Sequence, residues 1–143
     1  MEVPGRILAV DYGRKRVGLA VTDPLQLIAT RLDTVRAEDI WKYLDGYFLK
    51  EKVVLVIVGY PMQMNNEPSA AVTDVNLFLR KFLVRYPGKE VRQADERFTS
   101  KLAFRALIDG GVKKKDRQNK AIIDGVSATI LLQSFLDQKK YTP

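Results

Sequence analysis

Six consecutive apolar residues, Val53-Val54-Leu55-Val56-Ile57-Val58, constrain the fold of this chain more than any other feature. The run is β-branched and unbroken, and it is followed by Gly59-Tyr60-Pro61. A continuous apolar run of strand length reads as a strand buried on both faces. Such strands belong to parallel sheets, whose crossover connections lay helices over both faces. An α/β architecture follows. Pro61 and the glycine before it predict that the strand stops near Val58, because proline removes a ladder donor.

A second pair of apolar runs lies nearer the start, Ile7-Leu8-Ala9-Val10 and Val17-Gly18-Leu19-Ala20-Val21, separated by a short basic turn. They predict strands over 6–11 and 17–22, with Gly13 in the turn and Asp23-Pro24 ending the second. Alternation over 28–34 predicts a third extended piece, making an antiparallel meander. Helical spacing of Ile40, Trp41, Leu44, Tyr47 and Phe48 predicts a first helix opening near Asp39. Residues 62–67 read as a loop. A long helix is expected over 69–86, led by Pro68, with Val72, Val75, Phe78, Leu79, Phe82 and Leu83 as its apolar stripe. A short strand over 90–94 follows. A further helix capped by Thr99 or Ser100 carries Leu102, Ala103, Ala106 and Leu107. A last helix over 120–136 buries Ile123, Val126, Ala128, Ile130, Leu131 and Phe135. The order βββαβαβαα describes one mixed sheet with helices on its faces. A single domain over 1–138 is expected, with 139–143 a frayed tail.

Histidine and cysteine are both absent. Disulfides, thiolate zinc sites, imidazole metal sites and Ser-His-Asp or Cys-His catalysis are therefore excluded. The formal charge is +7, and the sequence pI is near 9.7. This favours a polyanionic partner, nucleic acid above all, against the alternative of a merely basic surface. The start of the chain has no signal-peptide pattern, and the longest apolar run is too short to span a bilayer, so an intracellular, membrane-free setting is expected.

Three carboxylates stand out by placement. Asp11 ends the first strand, Glu96 follows the short strand, and Asp124 lies in a small-residue stretch of the last helix. In a sheet of strand order 3-2-1-4-5, the ends of strands one and four are neighbours, and a helix over that end brings Asp124 to the same mouth. Three convergent carboxylates suit Mg²⁺ or Mn²⁺, which prefer oxygen ligands. Two such ions can activate water and stabilise the leaving oxygen in phosphodiester cleavage. Each residue also has a structural alternative: Asp11 as a turn residue, Glu96 paired with Arg97, and Asp124 paired with Lys120 one turn earlier. The basic groups flank these acids. Arg14 and Arg16 lie just beyond Asp11, and Lys113, Lys114, Lys115, Arg117 and Lys120 just before Asp124. They either grip phosphates or form solvated loops. Tyr12 and Tyr60 are the candidate aromatic platforms, or packing residues.

The set Asp11-Tyr-Gly13-x-x-Arg16-x-Gly18-x-Ala20, Gly59-Tyr-Pro61, Asp95-Glu96-Arg97-Phe-Thr99 and Asp124-x-x-Ser-Ala128 resembles the YqgF family, the RuvX-like Holliday junction resolvases. The resemblance covers nearly the whole chain. It implies an RNase H-like fold with a mixed five-stranded sheet. It also implies a bacterial, cytoplasmic nuclease that matures the 5′ end of pre-16S ribosomal RNA, or alternatively one that resolves four-way DNA junctions. On this chain the family's acidic triad falls on Asp11, Glu96 and Asp124. Where the family loop runs close to Leu-Asn-Met-Asp-Gly, this chain has Met62-Gln63-Met64-Asn65-Asn66. A junction resolvase is expected to be a homodimer; a single RNA cut needs only a monomer. Two other readings stand beside this one. A nucleotide-binding domain of the actin and sugar-kinase type would need a second domain. A non-catalytic ribosome-assembly factor would not need the three acids.

Overall fold

The computed structural model describes residues 4–60, 71–95 and 120–141, with side chains of residues 95, 120–126 and 139–141 outside the description. Its elements are β1 (Arg6–Tyr12), β2 (Arg16–Thr22), β3 (Ala29–Arg36), a 3₁₀ turn (Ala37–Asp39), α1 (Ile40–Lys50), β4 (Val53–Tyr60), α2 (Val72–Arg85), β5 (Glu90–Asp95) and α3 (Lys120–Tyr141). The sheet order is β3-β2-β1-β4-β5. The first three strands pair antiparallel, while β1–β4 and β4–β5 are parallel. This is the mixed five-stranded order expected from the sequence. The loop over 62–67, the helix expected after Thr99 or Ser100, and the start of the long helix near Ser69 lie outside the described residues.

The strand period of two divides the core into two layers. On one face Leu8 and Val10 of β1, Val17, Leu19 and Val21 of β2, and Val56 and Val58 of β4 pack against Ile40, Leu44 and Tyr47 of α1 and Val75, Phe78, Leu79 and Phe82 of α2. On the other, Ile7 and Ala9 of β1, Ala20 of β2, and Leu55 and Ile57 of β4 meet Ala128, Leu131, Leu132 and Leu136 of α3. Covering both faces explains why β4 has no polar residue between Val53 and Val58.

Four details differ from the sequence reading. Gly59 and Tyr60 remain in β4, paired with Ala94 and Asp95. The proline constraint applies to Pro61 itself, so the strand keeps its ladder up to the residue before. Leu83 is 52% exposed, because it sits at the margin of the α2 stripe beside an open groove between α2 and the edge strand β5. In α3 the inner face carries Ser127, Leu132 and Leu136 as well as Ala128 and Leu131, while Ile130 is only half-buried. Finally, α3 continues through Tyr141. Gln138, Lys139 and Lys140 are good helix formers, and lysines near the C-terminus complement the helix dipole.

Aromatic packing fixes the α1–α2 layer against β1. The Tyr12 ring stacks on Phe78 at 4.6 Å, and Phe78 stacks on Trp41 at 5.1 Å. A polar tie joins the same helices: Arg85 pairs with Asp45, and the Tyr86 hydroxyl donates to Asp45 Oδ1 at 2.6 Å. The Arg85 guanidinium and then the Tyr86 hydroxyl hold the Asp45 carboxyl down to about 2.

Two stability tests follow from this packing. Phe78→Ala empties the centre of the aromatic stack and should lower unfolding free energy by about 3–5 kcal/mol, read from the midpoint of a urea titration. Because the folded-state pKa of Asp45 is depressed, its stabilisation is present above the ordinary carboxylate range and is lost as pH falls toward about 2. The melting temperature of Asp45→Asn should therefore lie below wild type near neutral pH and converge with it at the acid end. A gap that persists unchanged at low pH would contradict this.

Candidate functional site

Asp11 is the next-to-last residue of β1 and is half-buried. Strand alternation puts it on the face of Ile7 and Ala9, beneath α3, while Tyr12 turns to the opposite face and onto Phe78. Tyr12 is thus a packing residue, and burial followed by the nearby Asp74 carboxylate raises its phenol pKa. Tyr60 likewise packs against the α1–α2 layer.

The backbone around Asp11 is built from small residues. Asp11 pairs with Gly18 on β2. Val10 pairs with Val58, so the next β4 position beside Asp11 is Gly59. At the directly opposed positions neither neighbouring strand carries a side chain. Local sequence marks these glycines only as strand and turn residues; their place on either side of Asp11 emerges from the register.

The turn after Asp11 is tightly tied. Gly13 N donates to Arg16 O at 2.9 Å, and a Cβ on Gly13 would stand 2.6 Å from that oxygen. Glycine is required there by close approach of backbone. Ala37 N donates to Lys15 O at 2.9 Å, which pins the hairpin tip to the end of β3. Arg14 and Lys15 point into solvent at the tip, and Arg14 Nε lies 3.3 Å from Asp74 Oδ2 of α2. An ion pair this exposed is worth little and leaves the guanidinium open to a stronger anion.

The direction of α3 bears on Asp124. Phe135 and Gln138 line a cavity with Ile7 and Leu55, near the start of β1 and β4. The preceding turns of α3 therefore run toward the Asp11 end of the sheet. Asp124 stands eleven residues before Phe135, about 16 Å along a helix axis, against about 13 Å from Ile7 to Asp11 along a strand. It also occupies the position one turn before Ala128, which is buried against the sheet. Lys120 is the first residue of α3. Glu96, Lys113, Lys114, Lys115 and Arg117 lie outside the described residues. Among the described residues no group of three acidic side chains is gathered, and Asp11 is the triad member whose side chain is described.

The family model of RuvX, described as Holliday junction resolvase, matches residues 5–138. The chain belongs to this family. A relative from Phocaeicola vulgatus is 52% identical over 95% of this chain and 98% of its own length, and one from Flavobacterium psychrophilum is 51% identical over 94% and 98%. Each carries the name "Putative pre-16S rRNA nuclease". Among solved structures, Thermus thermophilus RuvC in complex with a Holliday junction superposes with a TM-score of 0.57 at 17% identity, covering 94% of this chain and 96% of that one. That likeness establishes the RNase H-like fold expected from the sequence. Family membership makes the chain a nuclease, a hydrolase of phosphodiester bonds.

The chemistry of the donors fits a hard divalent cation. The chain offers carboxylates, amides and hydroxyls but neither imidazole nor thiolate, which suits Mg²⁺ or Mn²⁺. Gly18 and Gly59, the positions beside Asp11 on the neighbouring strands, are both buried and add no side chain there. Gly18→Ala puts a methyl group at the buried position opposite Asp11. Cleavage in single-turnover assays should fall by about tenfold or more, with a thermal melt separating loss of the site from loss of the fold. Unchanged rates in the folded variant would show that the position opposite Asp11 does not shape the site.

Proposed function

We propose that the chain is a metal-dependent endonuclease that processes the 5′ end of pre-16S ribosomal RNA. Asp11, Glu96 and Asp124 hold Mg²⁺ or Mn²⁺. The observation that carries this reading is the position of Asp11: a carboxylate at the carboxyl end of the central strand, on the face covered by α3, with glycine on both neighbouring strands. The substrate follows from relatives about half identical over nearly their whole length and named for pre-16S rRNA. A bound divalent cation would supply charge stabilisation at the phosphoryl oxygens and a more acidic attacking water. Arg14, Arg16 and Lys120, together with Lys113, Lys114, Lys115 and Arg117, hold backbone phosphates. Such contacts set register without reading sequence. A ribosomal RNA substrate gives the protein a cytoplasmic setting, and among the described residues no helix is long and apolar enough to cross a membrane.

The family's description favours a second reading, resolution of branched DNA. Paired cuts across a junction call for a homodimer, whereas trimming an RNA end needs a monomer only.

The test compares a 16S precursor RNA bearing its 5′ extension with a synthetic four-way DNA junction, each with Mg²⁺, with Mn²⁺ and with chelator. Metal-dependent trimming of the RNA supports the proposal, symmetric junction cuts support the second reading, and binding without cleavage of either overturns both. Asp11→Asn removes a ligand at nearly constant volume, so cleavage should be lost at unchanged melting temperature. Full turnover by that variant would remove Asp11 from the site.

A further inference from the structure

Two arginines face each other across the β2–β3 ladder where the sheet ends. Arg16 pairs with Arg36. Directly opposed like charges weaken a strand pair unless anions offset them. Val17 and Val35, their neighbours, belong to the α1–α2 layer. Alternation therefore turns Arg16 and Arg36 to the other face, the one that carries Asp11. Asp11, Gly18 and Thr34 form one row across β1, β2 and β3, and Arg16 and Arg36 form the row beyond it. A groove of about 470 Å³ opens there, lined by Arg14, Lys15, Arg16, Arg36, Ala37 and Glu38. It holds four cations and a single carboxylate.

Arg36 is 76% exposed and meets Glu38 at 3.1 Å, itself 65% exposed. This pair is solvent-screened and readily exchanged for a phosphate, which accepts two parallel hydrogen bonds from a guanidinium. The groove is not mobile at its base, because Ala37 N is held by Lys15 O and Gly13 N by Arg16 O. From β1 to β3 is two strand spacings, about 10 Å, comparable with the rise of about three nucleotides on one strand.

We propose that Arg36, with Lys15 and Arg16, forms a phosphate subsite for the nucleic-acid strand on the β3 side of the scissile position. The inference rests on the nuclease reading and adds a direction to it: the bound strand leaves Asp11 across the hairpin tip and over the end of β3. The ligand chemistry is a phosphodiester backbone, shared by RNA and DNA. Glu38 acts as a weak internal competitor for that phosphate.

The test uses fluorescein-labelled single-stranded RNA and DNA oligonucleotides, titrated against the full-length protein over a salt series without divalent metal. Arg36→Glu and the milder Arg36→Gln should weaken binding by about tenfold and lower the salt slope by about 0.7 for one single-strand phosphate. Arg36→Lys should keep most of the affinity, and Glu38→Gln should bind more tightly than wild type. Arg80→Glu, the same charge change on exposed α2 of the opposite layer, controls for net charge and should fall less. Thermal melts report folding for every variant. The proposal is overturned if the Arg36 variants bind like wild type, or if Arg80→Glu loses as much. Failure of the nuclease reading is read separately, from wild-type cleavage with metal: normal cleavage with unaffected Arg36 variants sinks only the subsite.

Discussion

Burial of the central strand on both faces is the constraint on which the rest of the structure depends. β1 lies between β2 and β4, with α1 and α2 below it and α3 above. Every residue from Ile7 to Val10 is at most 1% exposed. A strand so enclosed cannot shift register without moving apolar groups from one layer to the other. Asp11 is the first position along β1 where the strand leaves that enclosure, and it inherits the rigidity of what precedes it. A carboxylate there is held by the sheet and still reaches solvent, which is what a metal ligand facing a polymeric substrate needs.

Charge is distributed to match. The cations described near the Asp11 end are on turn and strand-end positions, and Arg14, Lys15 and Arg36 are exposed there, while Arg16 is half-buried. Arg14 meets the half-buried Asp74, and Arg36 the exposed Glu38. Pairs of this kind restrain the free surface without competing strongly against phosphate. By contrast, the Asp45–Arg85–Tyr86 cluster lies between α1 and α2, combines several hydrogen bonds on one carboxylate, and ties helix to helix.

A single extra residue in β3 decides part of the surface. Leu19 pairs with Asp33 but Ala20 pairs with Arg31, which leaves Leu32 as a bulge. Counting from the Asp23 turn, where Thr22 pairs with Ala29, would set Arg16 against Val35 and send Arg36 to the wrong face. The bulge corrects the register by one and returns Arg36 to the side of Asp11. Bulges at sheet edges re-aim side chains in this way, and no local sequence pattern marks this one, because Leu32 fits either count.

The sequence by itself determined the layers and the first hairpin, and its resemblance to the family carried the strand order. The β-branched run over 53–58 demanded cover on both faces, the two runs around Gly13 demanded a hairpin, and helical spacing named most of the α2 stripe. It also limited the chemistry to oxygen donors, through the absence of histidine and cysteine, and its motifs pointed to the family. What only the tertiary structure decided were facts of register and edge. Gly59 and Tyr60 stay in β4 because β5 still pairs with them. Leu83 is exposed because α2 meets an edge strand there. Leu132 and Leu136 lie on the same helical stripe as Ala128 and Leu131, and packing on Ile7, Ala9, Leu55 and Ile57 selected that stripe over the one through Ile130. The glycines beside Asp11 and the pairing of Arg16 with Arg36 arise from cross-strand neighbours far apart in sequence. Local propensity can place a residue on a strand, but which side chains stand next to it depends on long-range pairing, fixed only when the whole sheet closes.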